Sequence, residues 1–542
     1  MTATTLGAGL AALARTAPGA ALHFPHTAER ITAAEVDRAA TVAAGRFRAA
    51  GVVPGDVVGV LLPPLNDVPV TLFGLWRAGA AVSLLPIQPG FGDEAATGRR
   101  LARIAQAAGM RHLVLANEFR PLGAVLGDLL PDLTVITPGV GPSDTRLPDV
   151  PADALAVVQF TSGSTSAPRG VMLSHTSLLA GLRAVVVSGR LTPDDVVVQW
   201  VPLFHDMGLI GLLSSWLNGS DVHVFTPTAF LRRPVEVLRH FAAVGGTILN
   251  GPNFSYDYLL DALRPGDLST VDLSRWRLAF NGSEPVSAET VERFTATLGV
   301  HPSVMYPVYG MAEATLAVTF PEPGSVPRAV PVDRTALATS GTVRILPGPG
   351  PGAKRVVSVG RPVHGIVLRI VDPSGEPVGE GRLGEIQIGG PAVSSGYYRD
   401  PEATRRLFDG AWLRTGDLGF TLDGDLFVAG RLKEMVVVRG RNFFPDDVER
   451  VARETPGVYR GRCVAFSDTS DEGAEHIGVI VESVADADGG AALRREVARR
   501  VSAELDLAAV RVYVVRPRWL TRTTSGKWQR ALAAERIGAD RP

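Results

Sequence analysis

Short apolar runs, each followed by a stretch with apolar positions three and four residues apart, recur through the first half of the chain. In residues 56–87, DVVGVLLPP is a β-branched run closed by prolines. DVPVTLFGLWRAG then shows helical spacing with an Asn66/Asp67 start and a Gly79 stop, and AAVSLLPI is a second apolar run. The same order returns at 112–137 (HLVLA, LGAVLGDLL, LTVITP) and at 221–252 (DVHVFTP, PVEVLRHFAAVGG, TILNGP). Such alternation predicts parallel sheets covered by helices. No segment repeats at a solenoid period.

From about residue 356 the pattern turns β-rich, and VLRIVDPSGEPVGEGRLGEIQIGG reads as strand, turn, strand. After GRLKEMVVVRGRN (430–442) comes a small α/β stretch: FFPDDVERVARET, CVAFSDT, HIGVIVESV, ALRREVARRVSAEL, RVYVV. The expected fold is therefore α/β. A large N-terminal domain of helix-covered β-sheets with a small β-rich subdomain occupies 1–430. A domain boundary falls at 431–434, and a small C-terminal α+β domain spans 435–542. The N-terminus (MTATTLGAGLAALARTAPGAALHF) has no cationic stretch before its apolar residues, so it reads as a surface helix and not as a signal peptide.

Composition narrows the function. A chain of 542 residues exceeds one compact core, and a net charge of −1 gives no electrostatic reason to bind nucleic acid or an anionic membrane. The single cysteine, Cys463, excludes an intrachain disulfide and a cysteine-cluster metal site, and it fits a reducing cytoplasm. The most apolar region, 57–87, is broken by Asp67, Arg77 and several prolines, so no membrane span is expected.

Chemistry concentrates in FTSGSTSAPRGVMLSH, Phe160–His175. Small hydroxylated residues and glycine let a backbone wrap a phosphate with N–H and O–H donors, and arginine adds bidentate pairing. A flexible linker has the same composition, but this run follows a buried-looking strand. A Walker A loop is absent, since Gly526-Lys527 is followed by Trp528, and no serine sits in G-x-S-x-G. Only three cationic residues are lysines, Lys354, Lys433 and Lys527; arginine fills every other position. TRTTSGKWQR thus keeps a lysine where the general bias favours arginine, which marks a site needing a compact ammonium with swivelling donors.

Seven motifs follow in order: TSGSTSAPRG, PLFHDMGLIG (202–211), NGSEPV (281–286), YGMAEAT (309–315), RTGDLG (414–419), GRLKEMVVVRGRN and TTSGKWQR. Together they resemble the adenylate-forming superfamily over nearly the whole chain. HDMGLIG, NGSEPV, YGMAEATL and RGRNFFP are most similar to its fatty acyl-AMP ligase branch. The resemblance implies that a medium-chain, long-chain or bulky hydrophobic carboxylic acid reacts with ATP and Mg2+ to give acyl-adenylate. The acyl group then passes to a thiol.

By the same resemblance, 431–434 is a hinge about which the C-terminal domain is mobile, Lys527 bridges carboxylate, ribose and α-phosphate, and Glu313 holds magnesium. Thr161, Ser162, Gly163, Ser164, Thr165 and Arg169 hold the β- and γ-phosphates. Tyr309, Gly310 and Met311 with Asn281, Gly282 and Ser283 form the adenine pocket, Tyr309 stacking on the base. Asp417, supported by Arg431, takes the ribose hydroxyls, and Lys433 is the hinge. His205 gates the acyl tunnel (a hydrogen-bonded core histidine is the plainer reading), and NGPNFSYDYLL (250–260) lines the acyl pocket.

The acceptor has two readings. A long stretch before Val359, including SGTVRILPGPGPGAKRVVS, resembles the insertion that restrains the domain swing in acyl-AMP ligases, with TVRIL as a small strand. It favours delivery to the phosphopantetheine of an acyl carrier protein. The alternative is an acyl-CoA ligase, acting mainly on preformed acyl-adenylate. Two departures from the family loop, Ser166 for the usual glycine and Arg169 for the usual lysine, bear on adenylation.

Overall fold

The computed structural model describes residues 3–87, 93–140, 146–161, 168–350, 352–438, 441–469, 475–505, 507, 510–522 and 528–539. Among these residues the body is built on two main sheets. One runs Thr134–Ile136, His112–Leu115, Val57–Leu61, Ala81–Leu84, Leu155–Thr161, Arg169–Ser174, parallel except for the last strand. The other runs Met305–Pro307, Leu278–Gly282, Ile248–Pro252, Val196–Gln199, Asp221–Val224, Ala21–Phe24, Glu29–Thr32, again antiparallel only at its end.

Helices cover both faces, so a central strand such as Val57–Leu61 is buried throughout, which is why it reads as an unbroken apolar run. The predicted helix is Asp67–Arg77; Asn66 precedes it but makes no capping bond, and Gly79 ends the turn in the left-handed region (φ 84°).

The N-terminal helix lies on the surface as expected, with one stripe packed into the core. Leu6–Thr16 is capped by Thr5, whose hydroxyl accepts from Ala8 N–H, and Ala8, Arg15 and Thr16 are exposed on its outer face. Leu6, Leu10 and Leu13 form a stripe buried in the main core, and Leu6 N–H donates to His175 Nδ1 at 3.3 Å. Its small Ala and Gly positions hide how apolar one face is.

The β-rich region pairs Val367–Val371 with Gly384–Gly389 as read from sequence, and the sheet continues through Trp412–Leu422 to Asp425–Arg431. The C-terminal α+β domain has a sheet of Cys463–Thr469, Glu475–Glu482 and Val510–Val515 with helices Pro445–Arg453, Ala487–Leu505 and Arg530–Ala539. It carries its own core around Val448, Ile477, Val479 and Val497. No helix among the described residues is long and apolar enough to cross a membrane.

The stretch before Val359 is structured. Strands Ala329–Asp333 and Ala353–Val357 pair antiparallel, with helix Arg334–Ser340 between them. TVRIL is not a strand: it makes only the isolated bridges Thr342↔Arg382 and Val332↔Ile345. AKRVV takes the strand position instead, matched rung for rung to Ala329–Asp333. This segment touches the C-terminal domain. Lys354 Nζ lies 2.9 Å from Asp447 Oδ1, and Arg334 Nε lies 3.6 Å from Asp447 Oδ2. Arg334 also donates to the Glu504 carbonyl (3.4 Å), and Phe444 is buried among Val330, Leu337, Leu418 and Phe427.

Candidate active site

The strand Leu155–Thr161 and the antiparallel strand Arg169–Ser174 face each other with Thr161 opposite Arg169, so both ends of the hydroxyl-rich loop are fixed by one rung. Ser162, Gly163, Ser164 and Thr165 lie outside the described residues, as does Ser166. The Arg169 guanidinium carbon sits 5.5 Å from the centre of the Tyr397 ring. Tyr397 O–H in turn donates to Glu313 Oε1 at 2.7 Å. Glu313 lies in a 3-10 turn, Ala312–Ala314, whose carbonyl at Glu313 accepts from Ser394 N–H (2.7 Å). Burial pushes the Glu313 carboxyl above its ordinary range, and the Tyr397 hydroxyl and Arg431 oppose that shift. Sequence reasoning missed Tyr397; its signal is GYYRDP (396–401), an aromatic pair fixed by a glycine and a helix-opening Asp-Pro.

A second chain of contacts converges from the β-rich sheet. Tyr309 O–H donates to Asp417 Oδ2 (2.7 Å), and Arg431 Nε donates to Asp417 Oδ1 (2.8 Å). Asp417 is only 5% exposed, and it faces Arg431 across paired strands. Its carboxylate favours the charged form of Arg431, while burial and the same carboxylate push the Tyr309 phenol up.

Gly310 is required sterically: a Cβ there would overlap the Leu316 carbonyl oxygen, and the ladder shifts register between Tyr309 and Gly310. Met311 follows as the residue before the Glu313 turn, and its N–H donates to Leu316 O at 2.8 Å. Thr315, buried with φ 65°, holds the turn by donating to Ala392 O (2.7 Å).

Asn281 and Gly282 end the strand Leu278–Gly282. The Asn281 side chain is fully buried, donating to Asn253 Oδ1 (3.2 Å), and its own Oδ1 accepts no bond among the described residues. It therefore braces the segment 250–260 and does not line an open wall. Ser283 follows at φ 65°, with its hydroxyl 3.7 Å from Met207 Sδ. His205 precedes helix Asp206–Trp216, and Gln159 Nε2 donates to the neighbouring Phe204 carbonyl (3.2 Å), tying this turn to the strand that leads into the loop. Gly208 allows the turn, because a Cβ would strike the Pro202 carbonyl.

Lys433 sits in a 3-10 turn, Leu432–Glu434, directly after the strand that carries Arg431. Lys527 lies outside the described residues; Arg522 and Trp528 on either side are described. Three residues beyond Lys527, Arg530 pairs with Glu434, Asp446 and Glu449 at 2.7–2.8 Å.

Magnesium is commonly held by one or two carboxylates together with substrate phosphates. Glu313 offers one such oxygen ligand, linked to Arg169 through Tyr397, which fits that mode. The described residues contain no group of three or more His, Cys, Asp or Glu arranged to hold a metal by themselves.

With this geometry in place, the comparisons give the class. The family model described as "AMP-binding enzyme" matches residues 11–398, and the chain belongs to that family, within the adenylate-forming superfamily. It is 34% identical over 434 residues to the medium-chain-fatty-acid–[acyl-carrier-protein] ligase JamA of Moorena producens, covering 77% of this chain and 72% of that one. It is 33% identical over 553 residues to the long-chain-fatty-acid–AMP ligase FadD26 of Mycobacterium marinum, covering 95% and 92%. A solved structure from a study of fatty acyl-adenylate ligases of E. coli and L. pneumophila superposes with a TM-score of 0.92 at 29% identity, over 98% of this chain and 97% of that one. The protein is thus an enzyme of the adenylate-forming superfamily, as its motifs imply.

Proposed function

We propose that the protein is a fatty acyl-AMP ligase that activates a medium- or long-chain carboxylic acid and delivers it to the phosphopantetheine thiol of an acyl carrier protein. In the first half-reaction a carboxylate oxygen attacks the α-phosphorus of ATP. An O–P bond forms, the bond to the β-phosphate breaks, and pyrophosphate leaves. In the second, the thiol sulfur attacks the acyl carbon, a C–S bond forms, and AMP departs as the thiol loses its proton to solvent.

The obstacle in the first step is an anion approaching a polyanion, so the protein's task is to place cations and donors. Arg169, Thr161 and the loop 162–165 hold the β- and γ-phosphates. Asp417, fixed by Arg431 and Tyr309, accepts from the ribose hydroxyls. Tyr309 packs on the adenine with Gly282 and Ser283 beside it. Lys527 meets the carboxylate and α-phosphate, and His205 stands at the acyl entrance. Magnesium bound with the triphosphate would offset its charge, and Glu313, oriented by Tyr397, is the residue that would hold it. The chain divides at 430–434, and rotation about Lys433 exchanges the two half-reactions.

The observation that carries this reading is the convergence of Arg169–Tyr397–Glu313 with Tyr309–Asp417–Arg431, in a chain akin to fatty-acid–AMP ligases end to end. The carrier-protein acceptor is supported by the ion-paired contact of segment 329–357 with the C-terminal domain. One incubation tests both: fatty acids, Mg-ATP, holo-carrier protein and CoA, read by intact-mass spectrometry. Acyl-carrier formation with little acyl-CoA is expected. Efficient acyl-CoA release would replace the acceptor assignment, and silence across a broad acid panel would remove the activity.

A further inference from the structure

Arg522 and Trp528 bracket the five residues that end in Lys527 and face each other across an isolated antiparallel bridge. The Arg522 guanidinium carbon lies 3.9 Å from the centre of the Trp528 ring and 5.5 Å from that of Phe254. One cation therefore meets an aromatic side chain of the C-terminal domain and another of the N-terminal body. On the Trp528 ring a second arginine, Arg462, lies at 5.5 Å and is itself paired with the buried Glu482 (3.2 Å).

The body side of this contact is equally organised. Phe254 is in the first turn of helix Asn253–Ala262, within the segment assigned to the acyl pocket. Its ring meets Trp200 edge-on with centroids 6.4 Å apart, and Trp200 stacks on Phe230 at 4.0 Å. Phe254 N–H donates to Glu284 Oε1 (2.5 Å). Burial weakens the charged form of Arg522, and the Glu284 carboxylate opposes that effect. A guanidinium suits such a site because it is planar, weakly hydrated and able to lie on aromatic faces, which an ammonium does less well.

From this geometry we infer that Arg522 is a positioning residue for adenylation, clamping the base of the Lys527 segment onto Phe254 at the wall of the acyl pocket. The inference rests on the acyl-adenylate-forming reading. Arg522 touches neither reacting atom; it acts through where it holds its neighbours. Because the contact joins the two domains, any swing that withdraws Lys527 breaks it. Arg522 is therefore needed in the first half-reaction and dispensable in the second.

The test uses the full chain and four variants: Arg522→Met, Arg522→Lys, Phe254→Leu and the double Arg522→Met/Phe254→Leu. Arg522→Met lowers kcat for ATP–pyrophosphate exchange about thirtyfold, the worth of one desolvated cation–π contact. Transfer from a synthetic acyl-adenylate to holo-carrier protein stays near the wild-type rate, and Arg522→Lys recovers part of the loss. The double variant is no slower than the poorer single, since both remove one contact. Equal loss in both half-reactions, or additive losses, overturns the inference. Hydrogen exchange supplies a readout that needs no turnover. Amides of residues 253–260 lose protection in Arg522→Met if the clamp exists, and unchanged protection refutes it. If wild-type protein shows no exchange activity with any acid, the proposed function fails, and this arm still decides the contact.

Discussion

Asp447 offers the sharpest handle on acceptor choice. Its two oxygens meet Lys354 Nζ at 2.9 Å and Arg334 Nε at 3.6 Å, and the three side chains are 10%, 11% and 9% exposed. Lys354 also lies 4.4 Å from the centre of the Phe444 ring, so its stem is pinned whether or not the charge is paired. Asp447→Asn keeps the shape and removes the anion, leaving two cations buried in the contact. Breaking a buried pair costs about 3–5 kcal/mol, and an amide oxygen recovers part of that as a hydrogen bond, so about 2–3 kcal/mol is lost. Separation of segment 329–357 from the C-terminal domain lets both cations rehydrate, so the loss falls on the docked pose. A change of that size shifts the ratio of docked to undocked states by about 30- to 160-fold. With CoA and holo-carrier protein in competition, the variant's ratio of acyl-CoA to acyl-carrier product rises at least about tenfold. Lys354→Met added to Asp447→Asn draws the ratio part of the way back, because one orphaned cation is gone. An unchanged product ratio in a variant that unfolds at the wild-type temperature would sink the reasoning.

Other outcomes follow from the site. Lys527→Ala reduces ATP–pyrophosphate exchange by about two to three orders of magnitude, as expected for loss of a charge at the reacting atoms, while preformed acyl-adenylate is still consumed. Equal loss of both halves refutes that role. Tyr397→Phe removes the hydroxyl that lowers the Glu313 pKa, so the acid limb of the adenylation pH profile moves to higher pH; a shift to lower pH contradicts the assignment. Burial lowers His175 to about 4. Because the folded value lies below the free one, its contribution is full above about pH 6.5 and fades towards pH 4, about 3 kcal/mol in all. Denaturant melts across that window measure it, and His175→Gln should flatten the slope.

The repeating strand–helix pattern was legible because parallel strands buried on both faces read as unbroken apolar runs and their helices carry one apolar stripe. The turns at YG and HDMG were legible from their glycines, since a Cβ at Gly310 or Gly208 would strike backbone carbonyls, whereas Lys527, conspicuous against the arginine background, lies outside the described residues. Three things were not. Tyr397 acts through contacts between residues far apart in sequence, with Arg169 and Glu313, which no local spacing encodes. The packing of the Leu6, Leu10 and Leu13 stripe into the core depends on helices Ala33–Ala49 and Asp67–Arg77, which follow it in the chain. Asn281 looked like a pocket liner because its motif ends a strand, yet its amide is spent on Asn253, a partner visible only once the two parallel strands are side by side.

Phe444 has a practical consequence for anyone who would exchange modules. It comes from the C-terminal side of the proposed boundary at 430–434, yet its ring fills space beside Gly430, where even a Cβ would strike it, within a core of Val330, Leu337, Leu418 and Phe427. A chimera spliced at that boundary would pull a stopper out of one protein and seat a stranger's in its place. Grafts should therefore travel with residues 329–357 as a matched set.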